Sequence, residues 1–564
     1  ERNEILDEVI IMPTIELDKK DVLKLVGKKL SDEELKRSIP MLGTDLEEIN
    51  DSSIVVEIFP NRPDLLSEQG FARAMSSFLE IKKGLRRYTA KTADYRMIID
   101  KSVKNIRPHT ACAVVKGLKL DDKKVDQLIK MQEKLHVTHG RRRKKAAIGI
   151  YPLGRIKFPI RFTADKPENI KFRPLESDKE MTGKEILEKH ETGKEYAHLL
   201  SGKERYPYFV DAEGKILSMP PIINSHTTGR IDEDTKDIFI ECSGFDYKVL
   251  SRTLNMLLCA LSEAGGEIYS IEIENKHLSK NYTLPELEPE KMPINKEYIN
   301  SRLGLRLSDK EMKETLEKMG YGVSGKEILV PCYRTDILSQ ADIAEDVAIG
   351  YGFDNFTYEI PKVATVGEED DLERFKNKIA DMLIGLGLME THTYNITSSE
   401  QQTSMMRSSI EPVMLSNSLN EDFDCMRVWG IPSLLDVLKK NKHNDYPQEI
   451  FDFTRIFKRG DTETGIVEND RLVVALCSKD ADFTSAKQVL DVIFRGLGKD
   501  YDIKSAENDS FIPGRVARIS YDGKGIAYIG EIHPEVLENF ELSVPVSTFE
   551  LNISELFDMV REQE

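Results

Sequence analysis

The chain has 564 residues, 40% hydrophobic and 32% charged, with a formal net charge of −18. That length calls for several domains, each with its own core, and no apolar run approaches the roughly 18 residues of a membrane span. The acidity excludes a chain that coats nucleic acid over its whole surface, while leaving room for local basic patches.

The six cysteines (Cys112, Cys242, Cys259, Cys332, Cys425, Cys477) form no Cys-x2-Cys and have no histidine at zinc spacing. This pattern speaks against a disulfide framework and a structural zinc, and fits a reducing cytoplasm. Residues 1–11 carry no signal-peptide pattern. Met12-Pro13-Thr14 reads as a natural start, which makes those eleven residues an expected upstream extension.

Residues 12–90 read as a small α/β module. Ile15-Glu-Leu17 is extended, and Asp18 caps an amphipathic helix with apolar residues at 22, 23, 25 and 26. Ser53 to Phe59 is a strand stopped by Pro60-Asn-Arg-Pro63-Asp64, where Asp64 is expected to N-cap the helix that follows Leu65.

Residues 95–278 form a larger domain. The strand Ala111–Val115 and the helix Val125–Leu135 lead to His139-Gly-Arg141-Arg-Arg-Lys-Lys145, the strongest basic spot in the chain. Contact with a phosphate backbone and a merely solvated turn are both open there. Tyr206 to Ser218 reads as two strands around an Asp/Glu-Gly turn. It runs into Met219-Pro-Pro-Ile-Ile-Asn224-Ser225-His226-Thr227, and then come a strand, Asp237–Glu241, and a long helix, Lys248–Gly265. The prolines fix the loop, and Asn224, Ser225 and Thr227 offer short polar groups; a rigid loop with capping residues is the alternative.

Residues 285–357 begin with a stiff acidic linker, Pro285-Glu-Leu-Glu-Pro-Glu290. A helix over 294–303 is followed by a second over 310–319, opened by the Ser308/Glu311 capping box and ended by Gly320. With the hairpin that follows, this resembles a helix-turn-helix or winged module, although Asp309, Glu311, Glu314 and Glu317 offset its lysines and disfavour DNA recognition. A helix from about Gln340 places Asp342, Glu345 and Asp346 at i, i+3 and i+4, opposite an Ile343/Val347 stripe, and Asp336 can fold back toward them. Like charges so placed repel by a few tenths of a kcal/mol per pair. A hard cation such as Mg²⁺, held through one or two carboxylates plus water, reverses that sign. A solvated acidic face is the alternative.

Residues 368–564 alternate strands and helices again, through Ser416 to Arg427, Ile450–Phe457, Ile512-Pro-Gly-Arg515, Ala527 to Pro534 and Phe549-Glu-Leu551. There is no Phe-Arg-x-Glu, no Gly-x-Gly-x-Gly-x-Arg and no P-loop; Arg427 lacks an acidic partner two residues on.

Several of these segments resemble the β subunit of phenylalanine–tRNA ligases in its shorter archaeal form. They are Pro331-x2-Arg334-x-Asp336-x5-Asp342-x2-Glu345-Asp346 before Gly350-Tyr351, Asn61-Arg-Pro-Asp-Leu-Leu66 before a helix, and Met219-Pro-Pro-Ile-Ile-Asn-Ser225. The resemblance implies an α+β multidomain chain: an N-terminal α/β module, a tRNA-editing domain, a helix-turn-helix-like domain with the metal site, and a non-catalytic class II synthetase-like antiparallel sheet domain. It implies Mg²⁺ on Asp336, Asp342, Glu345 and Asp346, the last being more often Glu in the family. It further implies a catalytic α partner in an α2β2 assembly, ATP used at that partner, tRNA(Phe) as ligand, and no membrane association. Hydrolysis of Tyr-tRNA(Phe) by this chain is expected from the editing resemblance, with Asn224, Ser225 and Thr227 as candidates and no identifiable general base. The resemblance to the shorter form implies that the extra anticodon-binding and oligonucleotide-binding domains of bacterial members are not expected here. The expected function is therefore the β subunit of a cytoplasmic phenylalanine–tRNA ligase. A free-standing trans-editing deacylase and a winged-helix regulator stand as the alternatives.

Overall fold

The computed structural model describes residues 13–362, 366–418 and 420–562. The expected upstream extension, the Met12 start and Leu419 lie outside the described residues. The chain forms two compact units, one ending at Ile360 and one beginning at Pro361.

The first unit opens with a three-stranded antiparallel sheet in which Ser53–Glu57 lies between Thr14–Asp18 and Asp45–Ile49. Asp18 caps the helix Lys19–Val26 by accepting from the Asp21 amide at 2.7 Å, which buries Val22 and Val26. The expected capping by Asp64 is corrected. A 3-10 turn, Pro63–Leu65, intervenes, and Ser67 caps the helix Glu68–Phe78 by accepting from the Gly70 amide at 3.1 Å. Asp64 is buried instead against Arg62, with Nε–Oδ1 at 2.8 Å and Nη2–Oδ2 at 3.0 Å. Burial pushes that carboxyl up, but the Arg62 guanidinium outweighs it and holds the group below the usual range.

A ten-stranded mixed sheet follows. Along its main path the strands run Ile223–Asn224, Ile216–Met219, Tyr206–Val210, Ile160–Asp165, Lys91–Ile99, Glu267–Asn275, His109–Lys116, Ile238–Gly244 and Ala146–Pro152. Lys280–Leu284 pairs with Glu267–Asn275 off that path. The last three strands of the path read as almost unbroken buried runs because helices cover them. The helix Tyr247–Glu263 packs across this end and buries Leu250, Leu254, Leu257, Leu258 and Leu261, the spacing of a core-facing stripe. The acidic stretch after Leu284 is not a free linker. Its Glu286 carbonyl accepts from Asn255 Nδ2 at 2.8 Å, Tyr247 Oη donates to the Glu286 carboxylate at 3.1 Å, and Glu290–Pro293 is a strand paired with Glu327–Val330.

That strand pairing begins a small module with helices Lys296–Leu303, Asp309–Lys318 and Gln340–Tyr351. Both bonds of the Ser308/Glu311 capping box form, and Gly320 closes the turn after the second helix at φ +86°. Its core joins Ile299, Met312, Leu316, Tyr321 and Ile328 to the expected Ile343/Val347 stripe.

The second unit is built on a seven-stranded sheet ordered Met389–Glu390, Gln448–Arg459, Ile466–Cys477, Val546–Asn552, Lys524–Ile532, Phe511–Tyr521 and Asp502–Ser505. The first pair is parallel and the other neighbours are antiparallel. Along Ile466–Cys477 the side chains alternate between two cores. Leu472, Val474 and Leu476 meet helices Asp371–Gly385, Phe483–Gly496 and Ile553–Arg561, while Val473, Ala475 and Cys477 meet Ile431–Lys440 and Pro534–Asn539. Arg427 is buried here, donating to Thr393 Oγ1 at 2.6 Å, Asn395 Oδ1 at 2.9 Å and the Arg455 carbonyl at 2.8 Å. All six cysteines are buried and free. No helix among the described residues is long and apolar enough to cross a membrane.

Candidate functional site

Two polar constellations stand out in the first unit. The first is buried in the ten-stranded sheet. Strand Ile238–Gly244 pairs with Ala146–Pro152 so that Glu241 faces Gly149. Glu241 is 1% exposed. Its Oε1 accepts from Tyr151 Oη at 3.1 Å, and the same hydroxyl lies 2.7 Å from Ser218 Oγ and 3.4 Å from Asn224 Oδ1. Gly149 makes room for this arrangement: a Cβ there would lie 2.2 Å from Tyr151 Oη and 2.4 Å from Glu241 Oε1. Burial pushes the Glu241 carboxyl up to about 8, with the Tyr151 hydrogen bond and the Arg107 charge pulling the other way. Its other oxygen, Oε2, is buried with no hydrogen-bond partner among the described residues. An orphaned buried carboxyl oxygen costs about 1–3 kcal/mol. This cluster therefore has unmet capacity to bind one more polar group, and its existing partner is a phenol.

The loop expected to carry the polar groups lies beside this cluster. Asn224 belongs to it through Tyr151. Ser225 is buried and its amide donates to the Leu217 carbonyl at 2.7 Å. Thr227 is exposed, on the one-turn helix His226–Gly229. Of the three candidates only Asn224 joins the cluster; Glu241, Tyr151 and Ser218 were not singled out from sequence.

The second constellation surrounds the helix Gln340–Tyr351. Its four carboxylates do not converge on a common centre. Arg334, with a side chain 1% exposed, grips Asp336 through Nε–Oδ1 at 2.8 Å and Nη2–Oδ2 at 2.6 Å, and reaches Asp346 Oδ2 at 2.8 Å. Tyr321 donates its hydroxyl to the same Asp346 oxygen. Asp342 completes a capping box, its Oδ2 accepting from the Leu338 and Ser339 amides at 2.8 and 2.6 Å. Glu345 alone is exposed; partial burial, then Asp346, Asp336 and Asp342, raise its pKa. Among the described residues no group of three or more His, Cys, Asp or Glu is arranged to hold a metal ion. The expected four-carboxylate magnesium cage thus does not fit this donor set, because a guanidinium already lies between two members and a helix cap engages a third.

Two family descriptions match the chain: "tRNA synthetase B5 domain" over residues 292–353 and "Phenylalanyl tRNA synthetase beta chain CLM domain" over 357–553. A phenylalanine–tRNA ligase β subunit from Pyrococcus furiosus is 41% identical over 561 residues, covering 97% of this chain and 100% of that protein. The chain belongs to the phenylalanine–tRNA ligase β-subunit family. The family member from Archaeoglobus fulgidus is 39% identical over 556 residues, covering 97% of this chain and 99% of that one. A crystal structure of an N-terminal fragment of the β subunit from Pyrococcus horikoshii matches with a TM-score of 0.57 at 40% identity, covering 60% of this chain and 99% of the fragment. In this family member the carboxylate helix falls inside the B5 match, whereas the Glu241 cluster lies outside both family matches.

Proposed function

We propose that this family member is the proofreading and supporting half of a phenylalanine–tRNA ligase, joined to a catalytic α partner as α2β2 and bound to tRNA(Phe). ATP and phenylalanine are handled at the α partner, and the sheet domain after Pro361 serves as a class II synthetase-like scaffold without adenylating residues. The first unit then divides into an N-terminal module to about 90, an editing domain over about 95–278 and a metal-site module over about 285–357. The chain works in the cytoplasm. Magnesium, where bound, sits on Glu345 and Asp342, relieving the like-charge repulsion that adds to burial in raising the Glu345 pKa. Asp336 and Asp346 stand behind them, held by Arg334.

The observation carrying the editing reading is the buried carboxyl of Glu241, with one oxygen on a phenol and the other unpaired. A pocket for phenylalanine rejects tyrosine weakly, since tyrosine adds only a hydroxyl. A second site built to hydrogen-bond that hydroxyl discriminates the other way, because phenylalanine leaves its buried groups unmatched. With its pKa raised to about 8, Glu241 is mostly neutral at pH 7 and offers both a donor and an acceptor to an incoming phenol. Asn224 supplies an amide near the ester, and hydrolysis proceeds by a water that attacks the carbonyl while the terminal ribose oxygen leaves with a proton.

The test is charging and deacylation by the α/β complex. Phenylalanine should be attached to tRNA(Phe) only when α is present, and the complex should hydrolyse Tyr-tRNA(Phe). Glu241→Ala should slow that hydrolysis by about ten- to a hundredfold, the worth of one buried hydrogen bond, with charging unchanged. Unimpaired hydrolysis by the variant would sink the assignment of Glu241. Deacylation that persists without α, and charging that α cannot rescue, would make the chain a free-standing editor.

A further inference from the structure

The basic turn lies beside the Glu241 cluster, tied to it through Arg143 and through the strand Ala146–Pro152. The helix Asp122–Val137 ends at Thr138, and Arg141, Arg142 and Arg143 then take φ of +46°, +48° and +65° in succession. A left-handed residue other than glycine costs on the order of 1 kcal/mol, and such residues rarely come in runs. Here the run is held closed by its own backbone: the Arg142 and Arg143 amides donate to the Val137 and His136 carbonyls at 3.2 and 3.1 Å, and the Lys145 amide donates to the Gly140 carbonyl at 2.8 Å. Gly140 is needed for that closure, since a Cβ would sit 2.5 Å from the Ala146 carbonyl.

Arg143 is the anchor. It donates to the Ile222 carbonyl at 2.7 Å, two residues from Asn224, pairs with Glu133 at 3.3 Å, and stacks on the Tyr196 ring at 4.3 Å. Its own carbonyl accepts from Arg107, whose Nε donates to Ser243 Oγ at 3.0 Å, two residues along the strand from Glu241. The strand leaving the turn carries Gly149 and Tyr151. Arg141, Arg142, Lys144 and Lys145 stay exposed on this rigid mount, in a chain whose net charge is −18.

We propose that these exposed cations bind the backbone phosphates of the single-stranded 3′ end of an aminoacylated RNA and lead its terminal ester to the Glu241 cluster. The inference rests on the editing reading and adds where the RNA is held. Positioned phosphate contacts fix register and carry no base specificity. Each one released from a single strand contributes about 0.7 to the slope of log affinity against log salt.

The experiment compares the wild-type α/β complex with an Arg142→Gln/Lys144→Gln/Lys145→Gln variant on two substrates. One is Tyr-tRNA(Phe); the other is the 3′-tyrosyl ester of adenosine, which has no phosphate. The variant is expected to raise KM for Tyr-tRNA(Phe) about tenfold or more, leave kcat unchanged, and flatten the salt slope by about two units. Hydrolysis of the adenosine ester should be unaffected. An unchanged KM and salt slope on Tyr-tRNA(Phe), with wild type active on both substrates, would overturn the phosphate site alone. Equal loss on both substrates would also overturn it, since the turn would then act through the fold. Failure of the wild-type complex to hydrolyse either substrate would overturn the editing reading and the phosphate site with it.

Discussion

Glu241 shows how a single buried carboxyl couples recognition to stability. Its pKa in the folded chain is about 8, against an ordinary 4.5. Between those two values the folded chain keeps a proton that the unfolded chain gives up. The associated stability is complete below the unfolded value and is lost as the pH climbs through the folded one. Glu241→Gln keeps the shape and removes the titration. The fall in Tm between about pH 5 and pH 8 should therefore be smaller in that variant by several degrees, at roughly 2–4 °C per kcal/mol in a domain of this size. Parallel pH profiles from differential scanning calorimetry would show that Glu241 is not the group responsible. Tyr151 matters at the same scale, because its hydroxyl keeps the inner carboxyl oxygen and Ser218 satisfied in the absence of ligand.

Among the elements, the helix Gln340–Tyr351 separates what its sequence announces from what only packing reveals. Its start, its Ile343/Val347 stripe and the i, i+3, i+4 carboxylates all follow from local spacing, and the capping signal at Ser339 is equally local. The fate of those carboxylates is not local. Asp346 turns inward because Tyr321 and Arg334, 25 and 12 residues away, meet it in the core. The Glu241 cluster escaped sequence reading for the same reason: its members sit on strands whose adjacency is a property of the sheet, and a lone Glu ending an apolar run carries no pattern. Asp64 looked like a cap because the 3-10 turn before Ser67 leaves no periodic trace. The helix yields its own expectation. Glu345→Ala should raise stability in urea by a few tenths of a kcal/mol, since it removes like-charge repulsion at an exposed site. Asp342→Ala should lower it by about 0.5–1 kcal/mol through the lost cap. Together they should weaken association with α, measured by analytical ultracentrifugation, more than they slow deacylation of Tyr-tRNA(Phe). Equal loss of both, or loss of neither, would remove this helix from the assembly surface.

At the scale of the whole chain, the two units bear different parts of the proposed work. Everything argued for editing, from Arg107 to Ser243, lies in the unit ending at Ile360. The crystallised N-terminal fragment of the Pyrococcus horikoshii relative covers 60% of this chain, so an independent first unit has a precedent in the family. A fragment of residues 13–360 should melt cooperatively by circular dichroism and deacylate Tyr-tRNA(Phe), yet fail to support charging by α. A fragment that is unfolded, or folded and inactive, would place part of the editing machinery beyond Ile360.

Arg334 has one more consequence, at the bench. A counter-ion carried on the polypeptide cannot be dialysed away. The interior of this module keeps its charge balance whatever the divalent content of the solvent. Extended treatment with EDTA should cost the first unit no more than the few tenths of a kcal/mol that a cation at Glu345 relieves, whereas Arg334→Met should lower its unfolding free energy by about 3–5 kcal/mol by stranding the buried Asp346 and the largely buried Asp336.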